Sequence, residues 1–312
     1  MKTILITGGL GHIGSKFLHS IKPGDYDEVR ILDNMSTQRF YSLFKLPKNV
    51  NFNFIEEDLL DTDIMTITKN VDVVVHLAAI TDAQSSFKRV DEINQVNYNG
   101  TIRIAKGCIK NGAKLFFPST TSVYGSKSKL VNEDCPINEL NPQSPYAKDK
   151  LKTELMLKKM GIESDLKYVI SRLGTIFGRS IGMRFHTAVN KFCWQASFGQ
   201  KLTVWETAMY QKRPYLGVDD AVNAIKFIIN QDLFNNQIYN IVSSNHTVRD
   251  IIKFIKTIIP EVQISFVNTE IMNQLSYEVE AKKIQKLGFH ASQDIYNGVK
   301  EVIELIKIQK KY

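Results

Sequence analysis

Tyr146 and Lys150 stand four residues apart in the stretch Pro142-Gln143-Ser144-Pro145-Tyr146-Ala147-Lys148-Asp149-Lys150. On a helix this spacing puts both side chains on one face, where a lysine ammonium can lower the pKa of a phenol electrostatically. A phenolate formed near neutral pH can take the proton of a hydroxyl while the carbon beneath it gives up a hydride. Prolines 142 and 145 mark where such a helix begins. Upstream, Ser119-Thr120-Thr121-Ser122-Val123-Tyr124-Gly125 gathers hydroxyls, and Thr120 can hydrogen-bond the same reacting oxygen. A tyrosine and a lysine at this spacing also occur on ordinary surface helices, so the elements around the pair decide its meaning.

A departing hydride needs an acceptor, and the N-terminus supplies a place for one. Thr7-Gly8-Gly9-Leu10-Gly11-His12-Ile13-Gly14 follows the apolar run Ile4-Leu5-Ile6 and reads as strand, glycine turn and helix. Glycines 8, 11 and 14 let bare backbone N–H groups, with His12 and Ile13 at the helix start, come against a pyrophosphate. Glu28 to Asn34 reads as a second strand, with Asp33 at its end and Asn34 after it, about twenty residues past the turn. A carboxylate there accepts both ribose hydroxyls of an adenosine and repels a 2′-phosphate, which predicts NAD over NADP. Val50 to Ile55 is a third strand, followed by Asp58 and Leu59 at the adenine edge. The apolar run from Asp72 through His76 to Leu77, Ala78 and Ala79 is a doubly buried strand whose small end leaves room for the cofactor. His76 reads as structural. Asn94 to Lys110 has helical period interrupted by Asn97 and Asn99, and Lys114 to Ser119 is the fifth strand.

This alternation predicts an α/β fold, a Rossmann-type doubly wound parallel sheet with its site at the carboxyl ends of the strands. With 312 residues, 43% of them hydrophobic, and 8 prolines, the chain can bury a full core. The start runs straight into a strand and no apolar stretch reaches membrane-span length, so the expectation is a cytoplasmic protein. Cys108, Cys135 and Cys193 are widely spaced, without a CxxC pair, which argues against disulfides or structural zinc. No metal is expected. The formal charge of +8 comes from scattered lysines rather than an aromatic-interleaved basic stripe, so nucleic acid is not an expected partner.

TGGLGHIG, LDN, HLAA, STTSVYG, SPYAKDK and RLGTIFG, in this order, resemble the extended short-chain dehydrogenase/reductase family, in its NAD-dependent nucleotide-sugar epimerase/dehydratase branch. The resemblance spans nearly the whole chain. It implies Tyr146 as catalytic acid/base, Lys150 as its pKa tuner and nicotinamide-ribose ligand, and Thr120 as the hydroxyl partner. It further implies NAD contacts from Gly8, Gly11, Gly14 and Asp33, joined by His12, Ile13, Asn34, Asp58, Leu59, Leu77, Ala78, Ala79, Asn97 and Ser119. For a nucleoside-diphosphate sugar it implies Thr81, Thr120, Thr121, Tyr146, Asn190 and Arg213, the last two on the diphosphate.

A smaller C-terminal substrate-binding lobe is also expected, dividing the chain into 1–178, carrying cofactor and catalytic residues, and 179–312, mainly substrate-binding with segments returning to the first domain. Two departures from the family pattern matter. Gly217 stands where similar chains carry a histidine, and Asp219 and Asp220 after it read as helix caps. Thr121 and Ser122 stand where 4,6-dehydratases carry carboxylates for β-elimination. Loss of water is therefore not expected. A 4-epimerase is the leading reading; the alternatives are a 4-dehydrogenase, for instance of a GDP-heptose in capsule-polysaccharide biosynthesis, and a catalytically silent NAD-binding regulator. Family resemblance also favours a homodimer through the two long helices after the fourth and fifth strands. From Ile238 onward the chain reads as scaffold.

Overall fold

A computed structural model of the protein describes residues 2–83, 85–125, 129–267 and 276–310. In chain order the elements are β1 (Thr3–Thr7), α1 (His12–His19), β2 (Glu28–Asp33), β3 (Phe52–Glu56), α2 (Ile64–Ile67), β4 (Val73–His76), α3 (Val90–Ile93), α4 (Gly100–Asn111), β5 (Lys114–Thr120), β6 (Leu130–Val131), α5 (Pro145–Glu163), β7 (Tyr168–Leu173), β8 (Thr175–Phe177), α6 (Ala188–Ser197), β9 (Leu202–Trp205), β10 (Lys212–Gly217), α7 (Val218–Asn230), β11 (Gln237–Ile241), β12 (Ser244–Thr247), α8 (Val248–Ile258), β13 (Ile264–Val267), β14 (Glu278–Val279), α9 (Lys282–Gln285) and α10 (Ile295–Lys310). Seven strands form one parallel sheet in the order β3-β2-β1-β4-β5-β7-β11. Ile4, Leu5, Ile6 and Val73 to Val75 are buried, because alternate side chains enter separate cores on the two faces. The sheet is the doubly wound one the β-α alternation predicts.

The small lobe is a β12-β10-β8 sheet and the helices α6, α8 and α10 around a third core that includes Phe177, Val189, Ile251 and Val299. Lys167 to Gly178, whose sequence reads as a sixth strand, is two strands, β7 and β8. It breaks at Gly174, where a Cβ would come 3.1 Å from the Tyr215 carbonyl carbon, so the chain can lie against β10 and change sheets. Three residues of the 1–178 segment thus belong to the small sheet as β8, while α7 lies on α1 and β11 pairs with β7 in the large sheet. The helix expected over 94–110 starts earlier, at Val90, and carries a π-helical turn over Asn94–Asn99. Ser144 caps α5 by accepting the Ala147 N–H at 3.2 Å, with Pro145 at the first helical position, as the prolines suggested.

Among the described residues no helix is long and apolar enough to cross a membrane. The three cysteines are free.

Candidate active site

The glycine turn can be read atom by atom. Gly8 adopts φ +66°, and a Cβ on it would lie 2.5 Å from the Ala78 nitrogen; one on Gly14 would lie 2.5 Å from the Gly9 carbonyl oxygen. Only glycine lets β1, α1 and the end of β4 converge this closely. Gly11 is the N-cap of α1, no side chain caps that terminus, and its first turn holds no acid. Its free N–H groups and dipole therefore face an open cleft suited to a pyrophosphate. Asp33 ends β2 with one carboxylate oxygen accepting the Leu10 N–H at 3.1 Å and the other accepting the Met35 N–H at 3.0 Å. Each oxygen keeps a lone pair for a ribose hydroxyl. Asn34 donates to Asp58 at 2.6 Å, and Asp58 accepts the Leu60 N–H at 2.8 Å, so these two form one edge of the cleft.

Several residues implied as cofactor contacts are occupied otherwise. The His12 ring is buried and meets the Gly178 carbonyl at 3.0 Å, and burial holds its pKa down at about 3, so it is neutral. Asn97, 1% exposed, grips the backbone of Ile80 from both ends, accepting its N–H at 2.8 Å and donating to its carbonyl at 2.9 Å. Its amide is spent on shaping the loop after β4, and the π-helical turn is what brings it there. Ser119 donates to Glu154, and Leu59 is core. Leu77 to Ala79 and Ile13 remain half-buried along the cleft, as small or apolar lining should. His76 is structural, bridging Thr7 at 2.7 Å and Thr101 at 3.0 Å, and neutral because burial takes its pKa to about 3.

Tyr146 and Lys150 share the first turns of α5, beside the end of β5 that carries Thr120. Burial pushes the Tyr146 phenol up to about 12, while the neighbouring Thr120 hydroxyl draws it down. The positive charge that acts on it most strongly is Arg184, not Lys150 as the helical spacing suggests. Lys150 donates instead to the Pro118 carbonyl at 2.8 Å, with its ammonium 4.5 Å from the centre of the Phe117 ring, and burial brings its pKa down to about 8. Four residues on, Glu154 makes a buried ion pair with Arg172 at 2.7 Å, which fixes α5 to β5 and β7.

The set implied for a sugar nucleotide divides in a similar way. Thr81 lies at the cleft and accepts from Arg184. Thr121 is buried and its hydroxyl donates to the Leu173 carbonyl at 3.3 Å, so it is turned into the fold. Asn190 is fully buried; its amide accepts the Gly178 N–H at 3.1 Å and donates to the Gly178 and Arg184 carbonyls at 3.2 and 3.1 Å. It is a clamp on the 178–184 loop, with no donor left for a diphosphate. Arg213 is half-buried, bonds Gln211 at 2.7 Å and lies over the Tyr277 ring.

Tyr277 and Gln293 lie in the segment read as scaffold. Tyr277 reaches back to donate to the Thr121 carbonyl at 3.1 Å, putting a phenol beside Thr121 and Ser122. Gln293 fills the space that a side chain at 217 would need, since a Cβ on Gly217 would lie 1.9 Å from its amide oxygen. Asp220 accepts the Ser292 and Gln293 N–H groups at 2.9 and 2.8 Å and Asp219 pairs with Lys16 at 2.6 Å, so neither caps α7. No local pattern reveals such partners, because each lies more than sixty residues away in the chain.

Comparison with known proteins gives these features a context. A family model described as "NAD dependent epimerase/dehydratase family" matches residues 4–242. The human dTDP-D-glucose 4,6-dehydratase is 27% identical, over 97% of this chain and 89% of that protein. An uncharacterized UDP-glucose epimerase of Bacillus subtilis is 29% identical, over 76% of each chain. Among solved structures, the UDP-glucuronic acid 4-epimerase of Bacillus cereus with UDP-glucuronic acid and NAD superposes with a TM-score of 0.86 at 25% identity, covering 99% of this chain and all of that one.

Proposed function

Because the chain belongs to the NAD dependent epimerase/dehydratase family, we propose that it oxidises the C4 hydroxyl of a nucleoside-diphosphate sugar and returns the hydride to the opposite face, as a nucleotide-sugar 4-epimerase. The observation that carries this reading is that α5, carrying Tyr146 and Lys150, packs on β5, which ends at Thr120, with hydroxyls rather than carboxylates at Thr121 and Ser122. Tyr146 takes the proton of the C4 hydroxyl and later gives it back, while the hydrogen on C4 leaves as hydride; Thr120 holds the reacting oxygen. When bound, NAD supplies the hydride acceptor. Gly8, Gly11, Gly14 and the open start of α1 would hold its pyrophosphate, and Asp33 its adenosine ribose. Elimination of water needs a further acid and base, which the hydroxyl side chains at 121 and 122 do not supply. The human dehydratase is thus a relative in fold and cofactor rather than in outcome.

UDP is the favoured nucleotide, in view of the two epimerase relatives. The working form we propose is a homodimer. A groove on α5, with Tyr98, Pro142, Leu151, Leu155 and Met156 as its apolar lining and Lys148, Lys152 and Lys159 beside them, is the face on which a second copy would sit. Mass in solution checks that assembly.

The test is to mix protein and NAD with UDP-, GDP- and dTDP-sugars, follow absorbance of reduced nicotinamide, and analyse the sugar. An epimerised sugar of unchanged mass with no lasting absorbance supports the reading. A lasting rise with a released 4-keto sugar replaces it by a dehydrogenase, and NAD binding without chemistry on any sugar replaces it by a silent binder.

A further inference from the structure

Arg184 lies in the loop between β8 and α6, and that loop is built into the cofactor half. The Gly182 N–H donates to Ser15 at 2.9 Å, and a Cβ on Gly182 would lie 2.2 Å from the Leu10 carbonyl oxygen. Asn190 holds the Arg184 carbonyl from the other side at 3.1 Å. The guanidinium is thereby carried over the cleft to Thr81, whose hydroxyl accepts from Nη1. Among the described residues its Nε is buried with no partner and no carboxylate is hydrogen-bonded to the guanidinium. Asp82 acts on it only at a distance, and Arg39 adds a second positive charge nearby. A half-buried cation with a free donor and a like-charged neighbour is costly unless a ligand brings the opposite charge.

We propose that Arg184 binds an anionic substituent on the reacting sugar ring, so that the enzyme selects a sugar carrying a carboxylate. This rests on the nucleotide-sugar reading above. The position favours the sugar over the cofactor pyrophosphate: Arg184 meets Thr81 beyond the end of β4 and acts on Tyr146, whereas the pyrophosphate has the open N-terminus of α1. Guanidinium and carboxylate match as a two-pronged pair.

The test measures binding of UDP-glucuronic acid and UDP-glucose by calorimetry to NAD-loaded protein, wild type, Arg184→Gln and Arg184→Lys, with NAD affinity measured separately. The expected result is tighter binding of the acid by the wild type. Arg184→Gln should lose at least tenfold for the acid with UDP-glucose and NAD within about threefold, and Arg184→Lys should fall between. Equal losses for both sugars, a loss confined to NAD, or no preference for the acid in the wild type would each overturn the proposal. If neither UDP-sugar binds, the nucleotide part of the earlier reading fails, and GDP-mannuronic acid against GDP-mannose decides this one by the same criteria, absence of binding there also counting against it. Thermal midpoints of the unliganded variants within a few degrees of wild type separate a binding effect from loss of fold.

Discussion

Lys150 donates its ammonium to the carbonyl oxygen of Pro118 at 2.8 Å, two residues before Thr120 on the same strand. The side chain is 3% exposed, so its charge is held in a place that disfavours it.

That burial fixes a pH dependence. A folded-state pKa of about 8, below the 10.5 of a free lysine, means the unfolded chain binds the extra proton between these values. Stability attributable to Lys150 therefore rises with pH across that window, and the cost is fully present below pH about 8. Lys150→Met should raise the unfolding free energy at pH 7 by about 1–3 kcal/mol, with the gain fading towards pH 10, while turnover collapses. Denaturant melts at several pH values, paired with activity, check both halves; a variant less stable at pH 7 refutes this account of the lysine.

Tyr146 moves the other way. Its phenol, raised to about 12 by burial, is protonated near neutral pH, so the base form grows tenfold with each pH unit below that value. The oxidative step should accelerate from pH 6 to 9, and Tyr146→Phe should lower kcat by about 10²–10⁴ with NAD affinity within about threefold. Single-turnover absorbance of reduced nicotinamide reads the rate and calorimetry reads the affinity. Unchanged turnover in the variant would remove Tyr146 from the chemistry.

Asp33, proposed above to hold the adenosine ribose, should govern the choice of dinucleotide. Asparagine there keeps an acceptor for the Leu10 or Met35 N–H but loses the negative charge that repels a 2′-phosphate. Asp33→Asn should narrow the preference for NAD over NADP by at least tenfold, mostly by weakening NAD. Dissociation constants for the two dinucleotides decide it, and an unaltered ratio counts against the assignment.

Gly217 is needed because of a residue 76 positions later. Gly217→Ala should cost about 1–3 kcal/mol through contact with the Gln293 side chain, and Gln293→Gly should restore most of it in the double variant. A double-mutant cycle by chemical denaturation measures the coupling; additive losses would show that the two sites do not meet.

The residues legible in the sequence are those whose function is local. Glycines 8, 11 and 14, Asp33 and the Tyr146–Lys150 spacing announce themselves because a tight turn, a strand end or one helical turn suffices to define them. The doubly wound parallel sheet followed from alternation, since doubly covered strands must be apolar on both faces. What stayed hidden depends on who occupies a donor. Asn97 and Asn190 have the right side chains for a ligand, yet both amides are filled by backbone drawn in from elsewhere. Arg184 is the converse: an unremarked arginine in a loop becomes conspicuous only when its surroundings supply no acid in hydrogen-bond contact. Charge balance around a side chain is a property of the fold.

The bonds from α1 to the smaller lobe set the route by which ligands come and go. His12 meets the Gly178 carbonyl at 3.0 Å and Ser15 receives the Gly182 N–H at 2.9 Å, two stitches within about one turn of helix. Swinging the lobes apart like a hinge would tear both and expose the neutral, buried imidazole of His12. Ligand exchange should therefore leave these two bonds, and with them the floor of the cleft, in place.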